Sequence, residues 1–600
     1  MNRRYPRYPD DADYQTNAPS YYEDLARKNK LIKKLAKRIW EYDKILADSL
    51  EEIEEVLRQV IDKIGEGFNE EIYDLLILWV EDGTLDHIIN ETLMNKKADI
   101  TYVDDIVNNV SKKLKDFTDE MYQLGVPLTI FEGETLEQFN QAINYSSDKQ
   151  VPIFIPAGDY YFTKDLIVNK KSILIGLNTV NFHLSNNAQV KITSKGSGSV
   201  LKNINLYGSQ TNSCIYLDEA KDITLQKIKV ENTNYAGIHF NHSKDIILDQ
   251  FEIIKAWNDT TANANGGLYI FQSKNIRVSN GLIKDVKSKG INVGSSRNIH
   301  VENVEVDTTT DPAGDGLYSN GSEYVTFKKC KVFNAASNAV KLSRGTKYSD
   351  ITECDLHVAN SVGNVIRLQG ASFSQVKMNT VRNNGTKQSI EVVPHVSTGD
   401  PADFNILDGN IFIDSGTLTQ ISIYGHDGLS CDGNKILNHY FESSIGISLM
   451  RNTNTKIFFN KFLNNTNYAL SVTDSTFNVT DNSFYDNALD IFIRTGEAII
   501  SNNRFRGLGG VSTSAVITNE NISKINVSNN DFIGSYSSYI IRIYNGIVVV
   551  ISGNTVNIDN GSISIPFGTG IFTGNYIRKG TVSLSLDVVK SGNIEPEQDS

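Results

Sequence analysis

The chain has 600 residues, 40% of them hydrophobic and 22% charged, with only 11 prolines: a folded protein too long for one compact core, built from several domains or one elongated repeat. A formal net charge of −13, with no dense Lys/Arg surface beyond one helix, gives no support to nucleic-acid binding. No secretory leader and no apolar run of about 18 residues is visible, so no membrane span is expected. The four cysteines, Cys214, Cys330, Cys354 and Cys431, lack CxxC spacing and disulfide density and read as buried thiols.

In chain order, residues 1–20 form an extended arm, basic and then acidic. Residues 21–98 are helical in pattern: "LARKNKLIKKLAKRIWEYDKILADSLEEIEEVLRQVIDKI" repeats apolar residues at three and four spacing between charged faces, and Gly65-Glu66-Gly67 interrupts it. The basic run at 27–38 is most simply a solvated helix face and otherwise a docking surface. From 99 to 125, Val103, Val107, Val110, Leu114, Phe117, Met121 and Leu124 step by 4, 3, 4, 3, 4, 3, a short coiled-coil seam. A helix lying on its own domain would carry the same seam. Self-association is the preferred reading, as a homotrimer, because a mixed Val/Leu/Phe seam does not select two strands. Residues 126–150 read as a linker and a cap, with Leu136, Phe139 and Ile143 on one helical face of "ETLEQFNQAINYSS".

Between 151 and 585 the chain becomes repetitive, and 586–600 is a tail. "VTDNSF", "ISNNRF", "VSNNDF" and "FTGNYI" each place Asn two residues before a large apolar side chain. The apolar positions run Val381, Phe412, Ile436, Phe462, Phe484, Phe505, Phe532, Val556 and Ile577, and the same register is expected upstream through Ile228, Phe251, Leu282, Val304, Cys330 and Cys354. That is 349 residues in 14 steps, about 25 per step. A second series, "GIHF", "GLYI", "GINV" and "GLYS", is followed each time by "KDIIL", "KNIRV", "RNIHV" or "EYVTF", so each period carries three short strands. Leucine-rich repeats share the period but need a Leu-dense frame that is missing. The pattern predicts a mainly β fold: a right-handed, three-faced parallel β-helix preceded by the helical and coiled-coil region. In such a coil each residue lies about 4.8 Å from its counterpart one turn back, so corner asparagines can bond in a ladder while the following Phe, Ile or Val stacks inside.

"TLEQFNQAI", "VPIFIPAGDYYF" and "SILIGLNTVNF" resemble the opening of the pectate-lyase-like β-helix superfamily, and "LLILWVEDGTLDHIINETL" is similar to N-terminal modules of tail, tail-spike and neck-appendage proteins of phages infecting Gram-positive bacteria. The resemblance implies a homotrimeric phage tail spike or pre-neck appendage: attached to tail or neck proteins of the virion by its N-terminal region, acting at the host cell surface, and binding, and in many members cleaving, a capsular or cell-wall polysaccharide.

Two long connections, "KAWNDTTANANG" before Gly267 and "VDTTTDPAGD" before Gly316, flank a short one, "KDVKSKG", before Gly290. Adjacent windings should therefore raise two walls around a floor holding Asp285, Lys287 and Lys289. Trp257 can stack on a sugar ring, and Asp259 and Asp307 can bind hydroxyls. Glycoside hydrolysis needs a protonated acid and an ionised base or nucleophile; Asp315 in "AGDGLY" is the leading candidate, with Asp311 and Asp285 as partners. Asp before Gly is also a common turn pair. Arg344 and Arg367 suit an acidic polymer or neighbouring carboxylates. No cofactor or metal site is expected for a hydrolase; a lyase would use a Lys, Arg or Tyr base and often Ca²⁺. A non-catalytic adhesin remains the alternative, and a secreted bacterial lyase a weaker one.

Overall fold

The computed structural model describes residues 125–594 apart from 210–211, 257–265, 310–313, 360–362, 386, 414–418, 427, 430, 443–444, 509 and 586. The arm, helical module and heptad seam at 1–124, the loop residues Trp257, Asp259 and Asp311, and the residues from 595 onward lie outside the described residues. The chain divides into two compact units, residues 1–133 with 151–154, and residues 134–150 with 155–600. In the first, Val126 and Pro127 pair in parallel with Ile153 and Phe154.

The second unit opens on the helix Thr135–Lys149, which buries Phe139, Ala142, Ile143 and Ser146 along one stripe. Phe139 meets Tyr160, Phe162 and Phe182 edge-on at 5.2–5.5 Å between centroids, and Ser146 Oγ accepts a bond from the Ile173 amide at 3.0 Å. The helix thus covers the first windings and answers a strand-edge amide.

Behind it runs a parallel β-solenoid of three sheets. The strand Lys221–Thr233 lies in the first sheet and bends into the second; Ile238–Asn241 lies in the third; Lys244–Ala256 and Leu268–Phe271 repeat the path one winding on, in register. Alternate residues turn inward, as a half-buried strand requires: Ile223 and Leu225, then Ile228 and Val230, then Ile238 and Phe240 are all buried.

The bend from first to second sheet takes two residues. One is left-handed, with φ between +51° and +58° at Lys227, Gln250, Asn280, Asn303, Lys329, Glu353, Met378, Asn438, Phe459, Asp481, Asn502 and Asn529. The next residue points inward. From Asn379 onward it is almost always Asn: Nδ2 of Asn460, Asn482, Asn503, Asn530 and Asn554 each donates to Oδ1 of the next asparagine at 2.9–3.1 Å. The backbone amide of each donates to the same oxygen. A buried corner that would otherwise strand its amides is satisfied by one side chain per winding. Two residues later Phe441, Phe462, Phe484, Phe505 and Phe532 stack at 4.7–4.8 Å between centroids.

The register differs from the sequence expectation at several positions. Ile436 belongs to the first sheet, paired with Leu407 and Ile457; the stack member preceding Phe462 is Phe441, which follows His439 in the ladder. Upstream, Ile228, Phe251, Val304, Cys330 and Cys354 occupy the corner position itself rather than the stack. The Cys354 amide donates to Oδ1 of Asn379 at 2.9 Å, which makes Cys354 the neighbour of the first ladder asparagine. Leu282 is one place beyond the corner, where Gly281 stands between Phe251 and Val304. Gly281 is required there, because a Cβ would lie 2.1 Å from the Phe251 ring. The thiols are nevertheless buried and unpaired by disulfides, as expected.

Candidate functional site on the third sheet

In the motif "G-h-x-h" the apolar letters turn inward, so the third letter faces out. In register, those residues make one column: Tyr216, His239, Tyr269, Asn292, Tyr318, Lys341 and Arg367.

Its first part is aromatic. His239 lies between Tyr216 and Tyr269, 5.0 and 4.6 Å from their centroids. Tyr216 is held by Asp218, to which its hydroxyl donates at 3.3 Å, and by Asn241, which donates to that hydroxyl at 3.0 Å. Burial and the adjacent Asp218 push the Tyr216 phenol up to about 12. Burial lowers His239 to about 4, so its ring is neutral at ordinary pH. Nε2 of His239 is buried without a hydrogen-bond partner.

The second part is ionic. Lys289 Nζ lies 5.0 Å and Lys341 Nζ 5.9 Å from the Tyr318 ring centroid. Burial lowers the Lys341 ammonium pKa, Asp315 opposes that shift, and Arg367, Lys289 and Arg344 reinforce it. Burial raises the Tyr318 phenol. Arg367 Nε lies 2.7 Å from Glu391 Oε2, so this arginine has a carboxylate of its own. His395 belongs to the turn 394–400: Thr398 Oγ1 donates its proton to Asp400 and therefore accepts from His395 Nδ1–H at 2.9 Å. Ser397, the other hydroxyl, lies at the same nitrogen, 3.2 Å away, so these groups are not arranged as a nucleophile–base–orienter relay. Burial and nearby Arg344 lower the His395 imidazole.

Asp315 opens the strand Leu317–Asn320 beneath this cluster and is only 4% exposed. Its Oδ1 accepts from the Asn338 amide at 3.2 Å and from Asn338 Nδ2 at 2.7 Å; Asn338 in turn accepts from the Asn364 amide at 2.9 Å. Asp315 therefore begins a second amide ladder at the corner into the third sheet. It acts as a rigid counter-charge below Lys341.

The remaining predicted residues are divided between sheets. Lys287 and Lys289 lie on the connection from second to third sheet, with the Lys287 amide bonded to the Ala256 carbonyl at 3.2 Å. Asp285 sits at the far end of the second sheet with φ +53°, a left-handed corner position that it shares with Asn232 and Lys255 in the preceding windings. Asp307 is also on the second sheet, 3.7 Å from Lys284 Nζ and 3.4 Å from Asn334 Nδ2. Tyr216, His239, Tyr269, Tyr318 and Lys341 were not singled out from sequence; the repeating third letter of "GIHF", "GLYI" and "GLYS" carries the signal for three of them. Among the described residues no group of three His, Cys, Asp or Glu side chains is suited to a metal ion.

Residues 213–398 match the family described as right handed beta helix region. No curated protein matches the sequence. Among solved structures, the Dettilon tailspike protein (gp208) is 14% identical, covering 51% of this chain, with a TM-score of 0.37, and this chain spans 63% of it. Gene product 12 of bacteriophage phi29, in its pre-mature form, is 12% identical over 80% of this chain and 76% of its own, with a TM-score of 0.44. The A-module of the Azotobacter vinelandii mannuronan C-5 epimerase AlgE4 is 12% identical over 71% of this chain and 100% of its own, with a TM-score of 0.31. At these identities the likeness is one of fold.

Proposed function

We propose that this chain is a virion appendage of tail-spike or pre-neck type whose third sheet binds an anionic polysaccharide of the host surface and cleaves it. The resemblance of the N-terminal sequence to phage appendage modules supports the virion setting. The observation that carries the chemistry is Tyr318 with Lys289 and Lys341 beside its ring and Arg344 close enough to act on its phenol, next to the aromatic run Tyr216–His239–Tyr269.

Aromatic surfaces take sugar rings, and the cations take acid groups on the polymer. An arginine neutralising a sugar carboxylate acidifies the C–H beside it. Lys341, whose proton is loosened by burial and like charges, removes that proton as the base. The C–H electrons form a C=C bond, the glycosidic C–O bond breaks, and the leaving oxygen takes the proton that Tyr318 retains by virtue of its raised pKa. Among the described residues elimination fits better than hydrolysis, because Asp285 and Asp307 lie on the second sheet and Asp315 is buried in a ladder.

The test is incubation of the full chain with host-wall polysaccharide, followed by assays for unsaturated sugars and reducing ends. Unsaturated products are expected, and Lys341→Met should reduce their formation about 10²–10⁴-fold, the usual contribution of a general base, with a much smaller loss of binding because Lys289 and Arg344 remain. Reducing ends without unsaturation would mean hydrolysis. Binding with neither product would make the protein an adhesin, and loss of both would overturn the reading.

A further inference from the structure

An open groove of about 660 Å³ follows the corner between the first and second sheets, and none of its lining residues belongs to the third-sheet column. Its rims are two columns in register over five windings. The corner rim reads Lys227, Gln250, Asn280, Asn303 and Lys329; the second-sheet rim reads Lys229, Glu252, Leu282, Glu305 and Lys331. Charge therefore runs in mirror order along the groove: lysine at both ends, glutamate on the second and fourth windings, and none on the middle winding, where Gly281 and Leu282 stand. Nearby charges are engaged with one another, as Lys229–Glu231 at 3.4 Å, Lys284–Asp307 at 3.7 Å and Lys329–Glu353 at 3.9 Å. Lys227, Glu252, Glu305 and Lys331, by contrast, make no ion pair or side-chain hydrogen bond among the described residues, although Glu305 and Lys331 are register neighbours.

We propose that this groove binds an extended zwitterionic polysaccharide, seating the ammonium of an amino sugar between Glu252 and Glu305 and acid groups of the same chain at Lys227 and Lys331. Order, spacing and hydrogen bonding select that ligand. A polymer of one sign is opposed by half of the array: a purely acidic chain meets the glutamates, and a purely basic one meets the lysines. Windings repeat every ~4.8 Å, so the two lysine ends stand roughly 19 Å apart and the two glutamates roughly 10 Å apart. A sugar unit advances a glycan by about one winding, so a segment of about five sugars spans the array. Amides on the corner rim are placed to meet its hydroxyls. Gln250 has no side-chain partner among the described residues, while Asn280 and Asn303 each use one donor hydrogen, to Asp249 and to Asn280 at 2.8 Å, and keep the other. The groove and its ligand stand apart from the third sheet and from the cleavage proposed there.

Calorimetric titration of the full chain with three oligosaccharides of about five sugars tests the assignment. Carboxymethyl chitosan carries both charges, carboxymethyl cellulose only acid groups and chitosan only amines, all in a mildly acidic buffer that keeps the amines charged. Carboxymethyl chitosan should bind about tenfold more tightly than either of the others, as several exposed ion pairs together allow. Glu252→Gln with Glu305→Gln, or Lys227→Gln with Lys331→Gln, should remove that advantage; none of the four side chains is buried, so folding should tolerate the changes. Neither pair should alter the affinity for carboxymethyl cellulose, which reports the third sheet, so the two sites fail separately. Glu252→Lys with Glu305→Lys should transfer the preference to carboxymethyl cellulose. No binding of carboxymethyl chitosan, equal affinity for all three oligomers, or a preference that survives both glutamine pairs would overturn the proposal.

Discussion

Between Ile228 and Val304 the corner from first to second sheet turns an apolar side chain inward and hangs its amides outside: Asn303 Nδ2 donates to Asn280 Oδ1 and Asn280 Nδ2 to Asp249 Oδ1, both at 2.8 Å, on the exposed left-handed residues. Between Asn379 and Asn593 the amides are inside and fully bonded, and the left-handed residue outside is anything from Met378 to Phe459. The constant is the backbone: one residue at positive φ, one residue inward. Cys330 and Cys354 sit at the changeover, small enough for either environment. The comparison teaches that a solenoid corner needs a left-handed residue and a satisfied interior, and that hydrogen bonding or hydrocarbon can satisfy it. The two should differ in cost when broken, because a buried amide left without its acceptor loses more than an exposed one that turns to water.

The largest difference is expected from Asn503→Ala. The change leaves the Asn482 backbone amide without its acceptor and takes the Asn503 Nδ2 donor from the Val479 carbonyl, while Asn482 Nδ2 keeps the Ile457 and Thr480 carbonyls. At about 1–3 kcal/mol per buried group left unpaired, urea unfolding should show a loss of roughly 2–6 kcal/mol. Asn303→Gly, which keeps the left-handed backbone and removes an exposed amide, should cost less than about 1 kcal/mol. Equal losses would end the distinction.

Next in size is Gly281→Ala. Its Cβ would collide with Phe251, and the cost should be about 1–3 kcal/mol, recovered in part by Phe251→Val, since an apolar corner is limited by volume alone. Failure of the second change to rescue the first would mean that the corner depends on more than packing.

The smallest effect at neutral pH belongs to His439→Asn, which restores the ladder where His439 interrupts it. Burial lowers this imidazole from 6.5 to about 4. A depressed folded-state value means that its contribution is complete above pH 6.5 and is lost as pH falls toward about 4. Melting temperature followed against pH should decline over that window in the natural chain and decline less in the variant. Identical profiles would show that the ladder carries no proton-linked weakness at this winding.

Much of this architecture was legible in the chain itself. A period near two dozen residues, three strands per period, Asn at one corner with Phe after it, and a capping helix with Phe139 and Ile143 inside all follow from a geometry in which each residue meets its counterpart one winding away. The apolar corner was not legible, because Ile228, Phe251 and Val304 are indistinguishable by type from the stack residues Val230, Ile253 and Val306 two places later; only strand pairing separates them.

The site divided along the same line. Loop lengths and turn letters directed attention to Asp315, Lys289 and their neighbours, and Lys289 does stand beside the ionic cluster. Sequence determined which residues recur and how far apart, since periodicity is a property of the chain. Which of three sheets a residue faces depends on where each corner falls, and corners are set by backbone handedness and interior packing; the tertiary structure alone therefore assigned Asp285 and Asp307 to the second sheet, buried Asp315 in a ladder, and brought Tyr318, Lys341 and Arg367 into one column.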